Sequence, residues 1–178
     1  MTPLRRTLLL AGVGGLAAAA GYGAHLFRIG GFGGGPSPEL GLKILENRVT
    51  GLDGAPTSLT AYRGRILVVN YWATWCAPCR EEIPMFLRLQ REYGAKNVQF
   101  VGIAVDQVDK VREFANEFKV DYPLVIGGID AMDLSREAGN KAGVLPYTLV
   151  MNPAGRIVAT LLGGISEERM RGALQPLL

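Results

Sequence analysis

Cysteine and histidine are nearly missing from this chain of 178 residues. Cys76 and Cys79 are the only cysteines, so at most one internal disulfide can form and no disulfide framework holds the fold. The single histidine, His25, lies near the N-terminus. Imidazole-based triads, histidine metal clusters and Cys/His proteases are thereby excluded for the folded part. Acidic residues are absent from positions 1–35, which hold three basic ones, Arg5, Arg6 and Arg28. The formal charge of +3 therefore belongs to this leader, and the rest of the chain is balanced. A balanced domain is a poor match for nucleic acid, whose phosphates call for a basic stripe. Against these absences stand 48% hydrophobic and 20% charged residues, the make-up of a globular chain with a real core.

Residues 7–26 contain no charged side chain apart from the titratable His25, and they follow Arg5 and Arg6. The pattern reads as a signal peptide or membrane anchor over 1–29. Its length and the preceding arginines point to a retained anchor with its N-terminus in the cytoplasm. Cleavage after Ala20 or Ala24 would instead release a soluble periplasmic protein. Arg5-Arg6 resembles a twin-arginine export signal, with Leu4 where Ser or Thr is usual. Glycines over 30–35, with Pro36 and Pro38, read as a linker over 30–41. The domain is then expected over 42–178.

Asp53-Gly54 reads as a hairpin turn near the start of that domain. Residues 65–72 form an apolar, β-branched run suited to a central strand buried on both faces. The helix expected after the cysteines has Ile83, Phe86, Leu87 and Leu89 on its apolar side and a kink at Pro84. Residues 98–105 read as a second buried strand, 108–118 as an amphipathic helix, 124–126 as a short strand and 132–138 as helix. Strands 147–151 and 156–162 flank the turn Asn152-Pro153-Ala154-Gly155, and Ser166 opens a terminal helix. This order predicts an α/β fold, a mixed sheet with helices on both faces.

Trp75-Cys76-Ala77-Pro78-Cys79 falls where the buried strand ends and the helix begins. A thiol there faces unpaired N–H groups and the positive end of the helix dipole, which favour its thiolate. Cys76 is nearer the helix mouth and is the expected attacking thiol. Pro78 fits the first turn, where its missing N–H has no helical acceptor. Zinc would need further Cys or His ligands that the domain lacks, so no metal is expected. No nicotinamide or flavin fingerprint is present either, so the cysteine pair itself is the expected redox group. Trp72, on the strand, reads as core, and Trp75 as an exposed apolar platform for a partner protein.

The run from Val68 to Pro84, with Trp75-Cys76-Ala77-Pro78-Cys79 at its centre, resembles the active-site signature of the thioredoxin superfamily. It is most similar to the TlpA/ResA-like thiol-disulfide reductases of bacterial envelopes. The resemblance covers nearly the whole domain and implies a thioredoxin-like fold with an N-terminal hairpin extension. Val144-Leu145-Pro146-Tyr147-Thr148 matches that family's cis-proline loop, which implies that Leu145 and Pro146 bind substrate beside Cys76. Thioredoxins usually have a buried aspartate where this chain has Asn70. ResA-like members instead use a glutamate three residues after the second cysteine, which corresponds to Glu82. That spacing puts Glu82 on the same side of the helix as Cys79, where burial would raise its pKa. Glu81 is the competing carboxylate and is expected in solvent.

The implied function is that of an envelope thiol-disulfide oxidoreductase. It would reduce protein disulfides, for example in cytochrome c or cytochrome oxidase maturation, and be recharged by a membrane thiol donor of DsbD/CcdA type. The rival readings are a thiol peroxidase, a copper-binding module, and a disulfide oxidase or isomerase. The copper module is disfavoured by the lack of a CxxxC pair and of a distal histidine. Residues 127–143 receive no specific role.

Overall fold

The computed structural model describes residues 37–178, and the signal or anchor expected over 1–29 lies outside them. Among the described residues no helix is long and apolar enough to cross a membrane. Among the described residues the first element is helix α1, Pro38–Glu46, so the linker expected over 30–41 ends earlier than its glycines and prolines suggested. Ser37 caps this helix by accepting from the Leu40 N–H, and Pro38 occupies the first turn. A proline there starts a helix at no hydrogen-bond cost, and this is the signal that the linker reading overrode. Leu40, Gly41, Ile44 and Leu45 are buried. At Gly41 a Cβ would lie 1.8 Å from the Gly155 carbonyl oxygen, so only glycine lets α1 approach so closely.

Strands β1 (Val49–Gly51) and β2 (Pro56–Thr57) form the expected hairpin, with Gly54 at positive φ in its turn. The remaining elements are β3 (Ile66–Trp72), α2 (Ala77–Tyr93), β4 (Val98–Ala104), α3 (Val108–Phe118), β5 (Leu124–Ile126), α4 (Ile129–Glu137), β6 (Tyr147–Met151), β7 (Ile157–Leu162) and α5 (Glu167–Leu174). They build one seven-stranded mixed sheet in the order β2-β1-β5-β4-β3-β6-β7. β3, β4 and β5 run parallel, and β6 and β7 run antiparallel to their neighbours. Helix α2 continues through Pro84, while α4 begins three residues before its expected start. Gly128, at the cap of α4, offers no side-chain bond, so the sequence carried no start signal there.

The sheet divides two apolar layers. Ile66, Val68 and Trp72 of β3 pack with α2, α3 and α5, whereas Leu67, Val69 and Tyr71 pack under α1 and α4. This alternation follows from the two-residue period of a strand, and it puts Asn70 on the α2 side. Trp72 packs against Phe114 in a tilted arrangement, with 4.9 Å between ring centroids. A Cβ at Gly102 would come within 2.8 Å of the Trp72 indole nitrogen, so glycine makes room for that ring.

Candidate active site

Cys76 caps α2 and Cys79 lies in its first turn, and the two sulfurs are joined as a disulfide. The four residues from Ala73 to Cys76 form a turn closed by the Cys76 N–H donating to the Ala73 carbonyl at 3.2 Å. Cys79 is fully buried and Cys76 nearly so, whereas Trp75 is 69% exposed. The two tryptophans therefore divide as expected, since Trp72 is buried in the core. Burial of Cys79 leaves Cys76 as the thiol nearer the surface.

Glu82 is the next residue on the inner face of α2 after Cys79 and is 4% exposed. Its Oε1 accepts from the Asn70 amide at 2.9 Å, and its Oε2 accepts from the Ile165 N–H at 3.3 Å. Desolvation raises its pKa to about 7, and the two hydrogen bonds oppose that rise by favouring the carboxylate. Glu81 is exposed, as the helix phase requires. A cavity of about 250 Å³ lined by Pro78, Glu81, Glu82, Gly164 and Ile165 opens beside this helix end. Asn70 also donates to the Thr148 hydroxyl at 3.0 Å, and Thr148 is its register partner on β6. A carboxylate held half-ionised near neutral pH, one helical turn from a buried thiol, can accept that thiol's proton.

The Leu145-Pro146 peptide bond is cis. Register pairs Tyr71 with Tyr147, so Leu145 and Pro146 lie at the end of the sheet from which the Cys76 turn departs. Pro146 is buried and Leu145 half-buried. Thus the structure brings Trp75, Cys76, Cys79, Glu82, Leu145 and Pro146 to one end of the sheet.

Sequence reasoning missed two supports of this site. Asn140, fully buried, donates to the Val144 carbonyl and accepts from the Val144 N–H, both at 2.9 Å. The Tyr147 hydroxyl donates to the Ala138 carbonyl at 2.6 Å. Residues 127–143 therefore brace the loop that leads into Pro146. A lone Asn in a Gly-rich stretch looks like a turn residue, and nothing in the sequence marked it as buried. The second support is Asp106, whose carboxylate accepts from the backbone N–H and the hydroxyl of Thr74.

Residues 36–160 match the description of the AhpC/TSA family. The chain belongs to that family. The thiol-disulfide oxidoreductase ResA of Bacillus thuringiensis (strain Al Hakam) is 27% identical over 77% of this chain and 78% of its own length. ResA of Geobacillus thermodenitrificans is 30% identical over 70% of each chain. A thioredoxin-related protein from Neisseria meningitidis serogroup B, known from its crystal structure, superposes with a TM-score of 0.64 at 32% identity. That match covers 72% of this chain and 97% of the other. This AhpC/TSA member is accordingly a ResA-like thiol-disulfide oxidoreductase of thioredoxin-like fold, with Cys76 and Cys79 as its vicinal pair.

Proposed function

We propose that the protein reduces disulfides of other proteins on the periplasmic side of the bacterial inner membrane. The observation that carries this reading is the buried Glu82, one turn behind a disulfide whose Cys76 opens beside the exposed Trp75. In the reduced enzyme the Cys76 thiolate attacks one sulfur of the substrate disulfide. A Cys76–substrate bond forms, the substrate's own S–S bond breaks, and the released thiolate takes a proton from water. Glu82 then accepts the Cys79 proton, and the Cys79 thiolate attacks Cys76 Sγ. The second substrate thiolate leaves, and the Cys76–Cys79 disulfide closes. Two electrons pass from the pair to the substrate, with no cofactor besides the cysteines. A membrane thiol donor of DsbD/CcdA type restores them, in keeping with the arginine-led apolar leader at residues 5–26. Apoproteins whose cysteines await haem or copper are the first substrate class to test.

Arg80 bears on the peroxidase rival, which needs an arginine beside its reactive thiol. Its guanidinium lies over the Phe114 and Phe118 rings, at 5.7 and 5.4 Å from their centroids, and is held there by cation–π attraction. The test is a glutathione redox titration together with reduction of insulin by the dithiol form. A potential near thioredoxin's, about −270 mV, and turnover of insulin are expected. A potential above that of protein disulfide isomerase, about −180 mV, would assign the protein to oxidation or isomerisation instead.

A further inference from the structure

Two parallel strands, β3 and β4, end side by side, and the Val105 N–H donates to the Trp72 carbonyl at 2.8 Å as their last shared bond. Just beyond that point three donors converge on one side chain. Asp106 Oδ2 accepts from the Thr74 N–H at 3.1 Å and from the Thr74 hydroxyl, and Oδ1 accepts from the Gln107 N–H at 2.8 Å. Thr74 is the second residue of the Ala73-to-Cys76 turn, so this carboxylate reaches from the end of β4 into the segment that presents Trp75 and Cys76.

We infer that Asp106 is a positioning residue for the nucleophile, fixing the Ala73-to-Cys76 turn through Thr74 when the Cys76–Cys79 bond is open. The inference rests on the exchange chemistry proposed above. In the oxidised protein the disulfide itself ties Cys76 to α2. Reduction removes that covalent tie, and the turn is then held by the Ala73 carbonyl, by the α2 bond from the Arg80 N–H to the Cys76 carbonyl at 3.2 Å, and by Asp106. Asp106 does not touch the reacting sulfurs; it acts through Thr74.

The chemistry of the donors explains why a carboxylate stands here. An ionised carboxylate accepts at both oxygens and donates at neither, whereas an amide of the same shape turns an NH₂ towards one of the N–H groups. Asp106→Asn keeps its one oxygen for Thr74 and gives up only the Gln107 bond, whereas Asp106→Ala removes every arm of the clamp. Thr74→Val removes the hydroxyl arm and keeps the shape, and Thr74→Ser keeps both arms.

The test uses the full-length reduced protein and a small aromatic disulfide, with the rate constant of attack read on its alkaline plateau, where Cys76 is wholly thiolate. At the plateau a change in thiol ionisation no longer alters the rate, so geometry is read alone. Thr74→Val and Asp106→Ala are expected to slow attack at least fivefold, and Thr74→Ser to stay within twofold of wild type. Val101→Ala, a core change on the opposite face of the sheet, serves as the control for destabilisation. Rates within twofold for Thr74→Val and Asp106→Ala, or losses no larger than that of Val101→Ala, would overturn the inference. A higher KM for insulin with unchanged attack on the small disulfide would overturn it as well, by moving Asp106 to substrate docking. Failure of wild type to reduce insulin would count against the proposed function alone, since the small-disulfide comparison does not depend on it.

Discussion

Asn70 and Glu82 meet side chain to side chain in the core, the Asn70 amide donating to Oε1 of Glu82 across 2.9 Å. The bond favours the carboxylate and so opposes the desolvation that lifts Glu82 to about 7. Asn70→Ala removes the donor and should move the Glu82 pKa further up, by about one unit. Carbon NMR of labelled glutamate side chains checks this, and an unchanged or lower value would contradict it.

Glu82 also makes stability depend on pH. Its pKa is raised from an ordinary value of 4.5 in the unfolded chain to about 7 in the folded one, so the folded state holds the proton more tightly. Its contribution is complete below about pH 4.5 and is lost as the pH rises through about 7, a change on the order of 3 kcal/mol. In Glu82→Gln this slope should vanish, leaving the oxidised variant more stable than wild type at pH 8.5 relative to their difference at pH 4.5. Denaturant titrations of the oxidised proteins at the two pH values decide it. In the reduced variant the thiolates should form at lower pH by about one unit, because a nearby negative charge is gone. Glu81→Gln, being exposed, should titrate like wild type.

Cys79→Ser should accumulate mixed disulfides through Cys76, because the resolving thiol is absent. Cys76→Ser should trap nothing, since Cys79 is fully buried. Non-reducing electrophoresis of envelope fractions reads both outcomes, and the opposite pattern would reverse the two roles.

Trp75→Ala and Trp72→Ala should separate docking from folding. Trp75 is 69% exposed, so its loss should leave unfolding within about 0.5 kcal/mol of wild type while slowing insulin reduction several-fold. Loss of Trp72, buried and packed against Phe114, should cost about 3–5 kcal/mol. Urea unfolding beside an insulin assay measures the pair.

Asn140→Ala should destabilise the protein by about 2 kcal/mol, because both polar groups of the Val144 backbone lose their buried partner. The same variant should turn over insulin more slowly, since Val144 leads into Leu145 and Pro146. Retained turnover at retained stability would show that the brace is dispensable.

The strands expected over 65–72 and 98–105, helix 108–118 and the hairpin at Gly54 were legible in the sequence because each rests on a local signal: a nearly continuous apolar run, a helical period, an Asp-Gly turn. The cysteine pair was legible for the same reason, since its place at a strand-to-helix junction is written in adjacent residues. Glu82 came from family resemblance combined with helix phase, and its burial agrees with both. What stayed hidden depends on residues far apart in the chain. Thr74 and Asp106 are 32 positions apart, and only the parallel register of β3 and β4 brings them together. Asn140 is polar yet fully buried, against the ordinary preference of its type. Helix α1 went unread because Pro38 carries two local meanings, linker and helix start, and only the packing of Leu40 and Ile44 chooses between them.

The division of β3 into two faces has a practical side for anyone wishing to build on this scaffold. Val68, Asn70 and Trp72 turn towards the redox pair, while Leu67, Val69 and Tyr71 turn away from it into the layer beneath α1 and α4. A spectroscopic label, a surface-immobilisation tag or a grafted binding epitope placed on the outer face of α1 would thus be insulated from the sulfurs by the full thickness of the sheet. On α4 and just after it the same freedom stops short of Ser135, Ala138 and Asn140, because Asn140 donates to the Ser135 hydroxyl and the Val144 carbonyl and the Ala138 carbonyl accepts from Tyr147, on either side of Pro146. Helix α1 is therefore an attachment point expected to leave electron exchange untouched.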